Sequence, residues 1–121
     1  MMKKQLDRHI KKKQLERTFS KMKYSNRDEV INDLQKAFQP LISKYDIEDI
    51  GVFEEQGQKD QYHMGYTIRK DGKTFMVHTP YLKNESGQLL AANNEWTVET
   101  DEPNSKDVNG YKGLDEALRS L

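Results

Sequence analysis

From Val30 onward, apolar residues recur at three- and four-residue spacing: Val30, Ile31, Leu34, Ala37, Phe38, Leu41 and Ile42. That spacing draws one stripe along a helix, and such a stripe must face a core. Ser25 stands ahead of it as an N-cap with Asp28 three residues on, and Asp28 and Glu29 suit the positive end of the helix dipole. Pro40 has no N–H and disfavours helical geometry at Gln39, so the helix either kinks there or ends and restarts as one short turn.

Beyond Asp46 the period falls to two. Ile50 to Glu55 reads as a first strand, followed by a polar connection over Gln56 to Asp60. Asp71-Gly72 then sits between two alternating runs, and this residue pair suits a two-residue hairpin turn that needs positive φ. Pairing Lys70 with Lys73 sets Ile68 against Phe75, Tyr66 against Val77, Met64 against Thr79 and Tyr62 against Tyr81. One continuous apolar and aromatic face results, and it should meet the Val30 to Ile42 helix. The other face carries His63, Gly65, Thr67 and Arg69 opposite Pro80, His78, Met76 and Thr74. A fourth strand is expected at Glu95 to Thr100, with Trp96 and Val98 inward. Leu89 to Ala92 extends it, with Asn93-Asn94 as a bulge or break. Asp101 to Gly110 reads as an exposed loop. Gly113 to Leu121 reads as a closing helix with Leu114, Ala117, Leu118 and Leu121 on one side and Tyr111 as a staple. The expected fold is therefore α+β: a four-stranded antiparallel meander with N-terminal helices and a short C-terminal helix, in the order α-α-β-β-β-β-α.

Charge divides the chain into residues 1–24, a basic helical arm, and residues 25–121, a single α+β domain. The arm holds nine Lys/Arg against Asp7 and Glu16, while the remainder holds eleven against eighteen acids, so a zero total conceals balances of +7 and −7. Within the arm, Lys3-Lys4-Gln5-Leu6-Asp7-Arg8 returns nine residues later as Lys12-Lys13-Gln14-Leu15-Glu16-Arg17. Nine residues on a helix place Leu6 and Leu15 on opposite sides, so no single apolar stripe forms and a solvated helix is expected. Lys3, Lys4, Arg8, Lys11, Lys12, Lys13, Arg17, Lys21 and Lys23 are candidate contacts for nucleic-acid phosphates or an acidic protein. Only Phe19 and Tyr24 could stack on bases, and there is no RNA-binding signature strand.

Of the 121 residues 34% are hydrophobic and 33% charged, which suits one domain with a modest core. Without cysteine, disulfides, thiolate metal sites and cysteine nucleophiles are excluded, and a cytoplasmic setting is expected. No run approaches the ~20 apolar residues of a membrane span, and the basic start leads into more lysine rather than the apolar core of a secretory signal. No membrane partner is expected.

Catalytic motifs are lacking. Gly72-Lys73-Thr74 echoes the end of a phosphate-binding loop, but Thr67 stands where the earlier glycine belongs and a strand follows instead of a helix. No Gly-x-Ser-x-Gly is present. Asp46, Glu48 and Asp49, and the Asp101 to Asp107 loop, do not follow the calcium-loop pattern. His63 and His78 fall on one hairpin face as diagonal neighbours, where they could share a ligand, with Glu95 or Glu99 approaching from the next strand. Alternatively, His78 packs over Gly65 and His63 sits at the surface. No metal or cofactor is expected. His63, Met76, His78 and Leu82 are candidates for a sheet-face contact with a ligand or a second copy. The sequence therefore points to a non-enzymatic interaction protein that self-associates through the open sheet face. The alternative is a nucleic-acid accessory protein acting through the basic arm, with an enzyme using His63 and His78 in third place.

Overall fold

A computed structural model describes residues 24–103 and 105–121. The basic cluster from Lys3 to Lys23, and the helix expected there, lie outside the described residues. Within them the order is α1 (Arg27–Lys36), α2 (Phe38–Tyr45), β1 (Asp49–Gln56), β2 (Gln61–Lys70), β3 (Lys73–Lys83), β4 (Leu89–Ala91), β5 (Trp96–Thr100), β6 (Val108–Tyr111) and α3 (Leu114–Arg119).

The helix starts one residue later than the sequence suggests. Asn26, not Ser25, is the N-cap: its side chain accepts from Glu29 N at 2.8 Å, and the Glu29 carboxylate accepts from Asn26 N at 3.0 Å. Ser25 is committed elsewhere, since its N–H and C=O both pair with Leu89, at 2.8 and 2.7 Å. The helix ends and restarts at Ala37, three residues before Pro40. A proline ring clashes with the carbonyl four residues back, here that of Lys36, and α1 stops at that residue. In α2 Pro40 is the third residue, where a missing N–H costs nothing. The new helix runs for eight residues rather than one turn.

All strand pairs are antiparallel, and β3 is the hub, pairing with β2 along one side and with β5 and β4 on the other. The Asp71-Gly72 turn closes with φ of 53° and 77°, and Lys70 faces Lys73 as expected. Tyr62, Met64, Tyr66 and Ile68 thereby stand opposite Tyr81, Thr79, Val77 and Phe75.

The sheet has six strands rather than four. One extra strand arises because β4 and β5 are separated: continuing the β4 register would set residue 94 against His78, yet Thr97 stands there. The excess is looped out around Asn93-Asn94, where the Thr79 hydroxyl donates to Glu95 O at 2.7 Å and Asn93 Oδ1 accepts from Glu95 N at 2.8 Å. The other extra strand, β6, takes the end of the expected Asp101 to Gly110 loop. Val108 pairs with Val98 and Tyr111 with Trp96 across an irregular register. Its sequence, Val-Asn-Gly-Tyr, has no apolar alternation, so backbone pairing and the docking of Tyr111 hold it.

The described helices pack on one face. Ile47, Tyr66, Ile68, Val77, Ala117 and Leu118 form one buried cluster, joined by Leu34, Phe38, Leu41, Trp96, Val98 and Leu114; Val30, Met64 and Leu89 form a second. Two polar clips fasten α1 to this face. The Tyr66 hydroxyl donates to Leu34 O at 3.1 Å, and burial pushes its pKa up to about 12. Arg27 donates twice to the Glu54 carboxylate, at 2.7 and 2.5 Å, and Tyr62 adds a third bond at 2.6 Å. These bonds hold the Glu54 carboxyl below its ordinary value of 4.5. Glu54 therefore adds stability at higher pH that is lost as pH falls through its lowered folded-state pKa. No described helix is long and apolar enough to cross a membrane.

The closing helix α3 has only six residues and no side-chain cap, so its stability is borrowed from Ala117 and Leu118, the latter 2% exposed. Leu118→Ala is expected to cost about 2–5 kcal/mol by urea unfolding.

Candidate interaction site on the sheet face opposite the helices

Alternation along each strand leaves a second face made of Phe53 and Glu55 from β1, His63, Gly65, Thr67 and Arg69 from β2, Met76, His78, Pro80 and Leu82 from β3, and Thr97 and Glu99 from β5. Its organising row crosses four strands: Phe53, Gly65, His78 and Thr97 are successive register partners. Gly65 carries no side chain, so the rings on either side close over it. Phe53 and His78 stack with centroids 5.0 Å apart and planes 26° from parallel. The close approach leaves no room at position 65, where a Cβ would collide with the Val77 carbonyl and lie 2.6 Å from His78 Cα.

His63, one row along, presents its ring edge-on to His78 at 5.1 Å and 89°. The turn after β1 supports it from behind, since a Cβ at Gly57 would lie 3.3 Å from His63 Cδ2 and Nε2. His78 is 5% exposed and its Nε2 pairs with Glu99 Oε2. Glu99 reaches it from the strand beside β3, opposite Met76. The Nδ1 atoms of both histidines are buried without a hydrogen-bond partner. Burial pushes the His63 pKa down, and so does His78, while Glu55 and Glu99 pull it up.

The structure thus brings His63 and His78 together as the register implied, with His78 over Gly65; His63 is half-buried rather than fully at the surface. Glu99 is the carboxylate that arrives, while Glu95 is exposed and contributes its backbone carbonyl to Thr79. Met76 is half-buried and Leu82 is exposed at 36%. Phe53 joins these residues, and alternation from Ile50 and Val52 is the sequence signal that places it on this face. Among the described residues no group of three or more His, Cys, Asp or Glu side chains is arranged to hold a metal ion. Across the sheet, a cleft of about 250 Å³ beside α1 has Val30, Leu34 and Leu89 along its lining together with Asp33 and Tyr81. None of His63, Met76, His78 and Leu82 lines it.

What this arrangement shows is packing across the Phe53–Gly65–His78 row. Gly65→Ala tests its foundation: the added methyl must part β2 from β3, and a loss of about 1–3 kcal/mol is expected by denaturant unfolding, with dispersal of the Phe53–His78 contact in NMR spectra.

Comparison with known proteins adds a family and no activity. No curated protein matches the chain. A family model described as "Family of unknown function (DUF5634)" matches residues 24–121, which takes in every described strand and helix, and the chain belongs to that family.

Proposed function

We propose that the protein is a non-enzymatic interaction module that self-associates, two copies meeting through the sheet face opposite the helices. The observation that carries this reading is the apolar set Phe53, Met76, Pro80 and Leu82, half-buried or exposed around the buried His78, on a face turned away from the described helices. A contiguous patch of that kind on a small domain marks a contact surface. Its charges suit a two-fold pairing. Glu55 lies toward one end of the face and Arg69 at the other, six residues apart along the β2 register, so a second copy rotated by 180° sets Glu55 against Arg69 twice. The cysteine-free sequence supports a reducing, cytoplasmic setting.

Sedimentation equilibrium at high micromolar concentration should find a dimer in the wild type and a monomer in Met76→Glu of unchanged circular dichroism. A monomeric wild type, or a dimer indifferent to Met76→Glu, contradicts the reading.

The charge sorting of the sequence supports a second reading, in which Lys3 to Lys23 grip the phosphates of a nucleic acid beside an acidic body. Here affinity for duplex DNA or RNA falls steeply with salt and is lost on deleting residues 1–24; equal binding by the truncated chain rejects it.

A further inference from the structure

The histidine pair is built at the centre of the proposed contact face, yet the packing there leaves His63 no place for a second proton. Its ring is pinned between the Gly57 turn and the His78 ring, and its Nδ1 is buried without a hydrogen-bond partner. A neutral imidazole tolerates that position. An imidazolium carries an N–H on both nitrogens, and a buried charged donor without an acceptor is costly. His78 gives no relief, because its Nε2 is committed to Glu99 and its own Nδ1 is also buried and unpaired.

The charged groups around His63 are divided. Glu55 faces it from β1 and Glu99 approaches from β5, both favouring the proton; His78 on β3 opposes it, and Arg69 stands further along β2. Burial is the largest influence and the net effect is a lowered pKa. The sign follows. An unfolded histidine titrates near 6.5, so a group held below that value in the folded state adds nothing unfavourable above pH 6.5 and loses stability as pH falls through its folded pKa. Covering the face with a second copy desolvates His63 further and strengthens the opposition to protonation. Proton uptake and dimerisation are then linked and oppose each other.

We propose that the His63–His78 pair makes this sheet face an acid-sensitive latch: with His63 neutral the face is packed and competent to pair, and protonating His63 forces the rings apart and releases the partner copy. This rests on the self-association reading above, deepening it into a mode of regulation. Phe53 is the second moving part, since His78 cannot turn away from His63 without breaking its stack on Phe53 over Gly65.

The test is sedimentation velocity on wild type and His63→Gln between about pH 7.5 and about pH 5.5, a window above the Glu54 titration. The wild-type dimer should weaken about tenfold or more across that range, and the His63→Gln dimer by less than about threefold. Equal acid sensitivity in the two proteins overturns the latch. If neither protein dimerises at any pH, the self-association reading has failed, and the latch is judged on the wild-type monomer by histidine-selective NMR. There the His63 Hε1 resonance should titrate below 6.5, with the Phe53 ring resonances moving in the same step. Titration at or above 6.5, or a Phe53 ring that does not respond, overturns it.

Discussion

Asp71 and Gly72 both adopt positive φ, and a turn of that hand joins two right-twisted strands with only two residues between them. Nearly everything else in the molecule depends on this constraint. It locks Lys70 against Lys73, and because strand side chains alternate, a slip of one place would send Met64, Tyr66, Ile68 and Val77 out of the core. With the register fixed, β2 and β3 present one face to α1, α2 and α3 and the other to the histidine pair. The core and the candidate site are two sides of one pairing.

A glycine at the crossing point gives the second face its character. Gly65 lies between Phe53 and His78 in the same row, and its missing side chain lets strands and rings approach more closely than any other residue permits. A strand-interior glycine is ordinarily a weakness. Here the stack across it restores the lost contact area, and His63 and Glu99 fill in from neighbouring rows and strands. Two histidines with buried, unpartnered Nδ1 atoms thus meet on a face that otherwise reads as plain packing.

The sequence foretold those parts where a local rule and the global fold agree. Alternation and the Asp71-Gly72 pair give the pairing of β2 with β3 from Tyr62–Tyr81 to Lys70–Lys73, and with it the meeting of His63 with His78. Elsewhere backbone pairing, invisible to side-chain patterning, decided the outcome. Ser25 is a good capping residue, but a bridge to Leu89 occupies its backbone and the cap passes to Asn26. Strand β6 reads as loop because its partner, not its composition, makes it a strand. Alternation alone assigns Phe53 its face, but its partner Gly65 follows from a turn with positive φ at Lys59, a residue that gives no sign of that conformation. The family match covers the whole described fold and carries no function, so the site's reading rests on its geometry.

The central claim is that a single register puts the helices on one face and the Phe53–His78–His63 cluster on the other. Nuclear Overhauser contacts from the His78 imidazole test it most directly. The account predicts strong cross-peaks to the Phe53 ring, to Gly65 Hα and to the His63 ring, and none to Phe38 or Leu118. Cross-peaks from His78 to those helix side chains, with Phe53 silent, would contradict it.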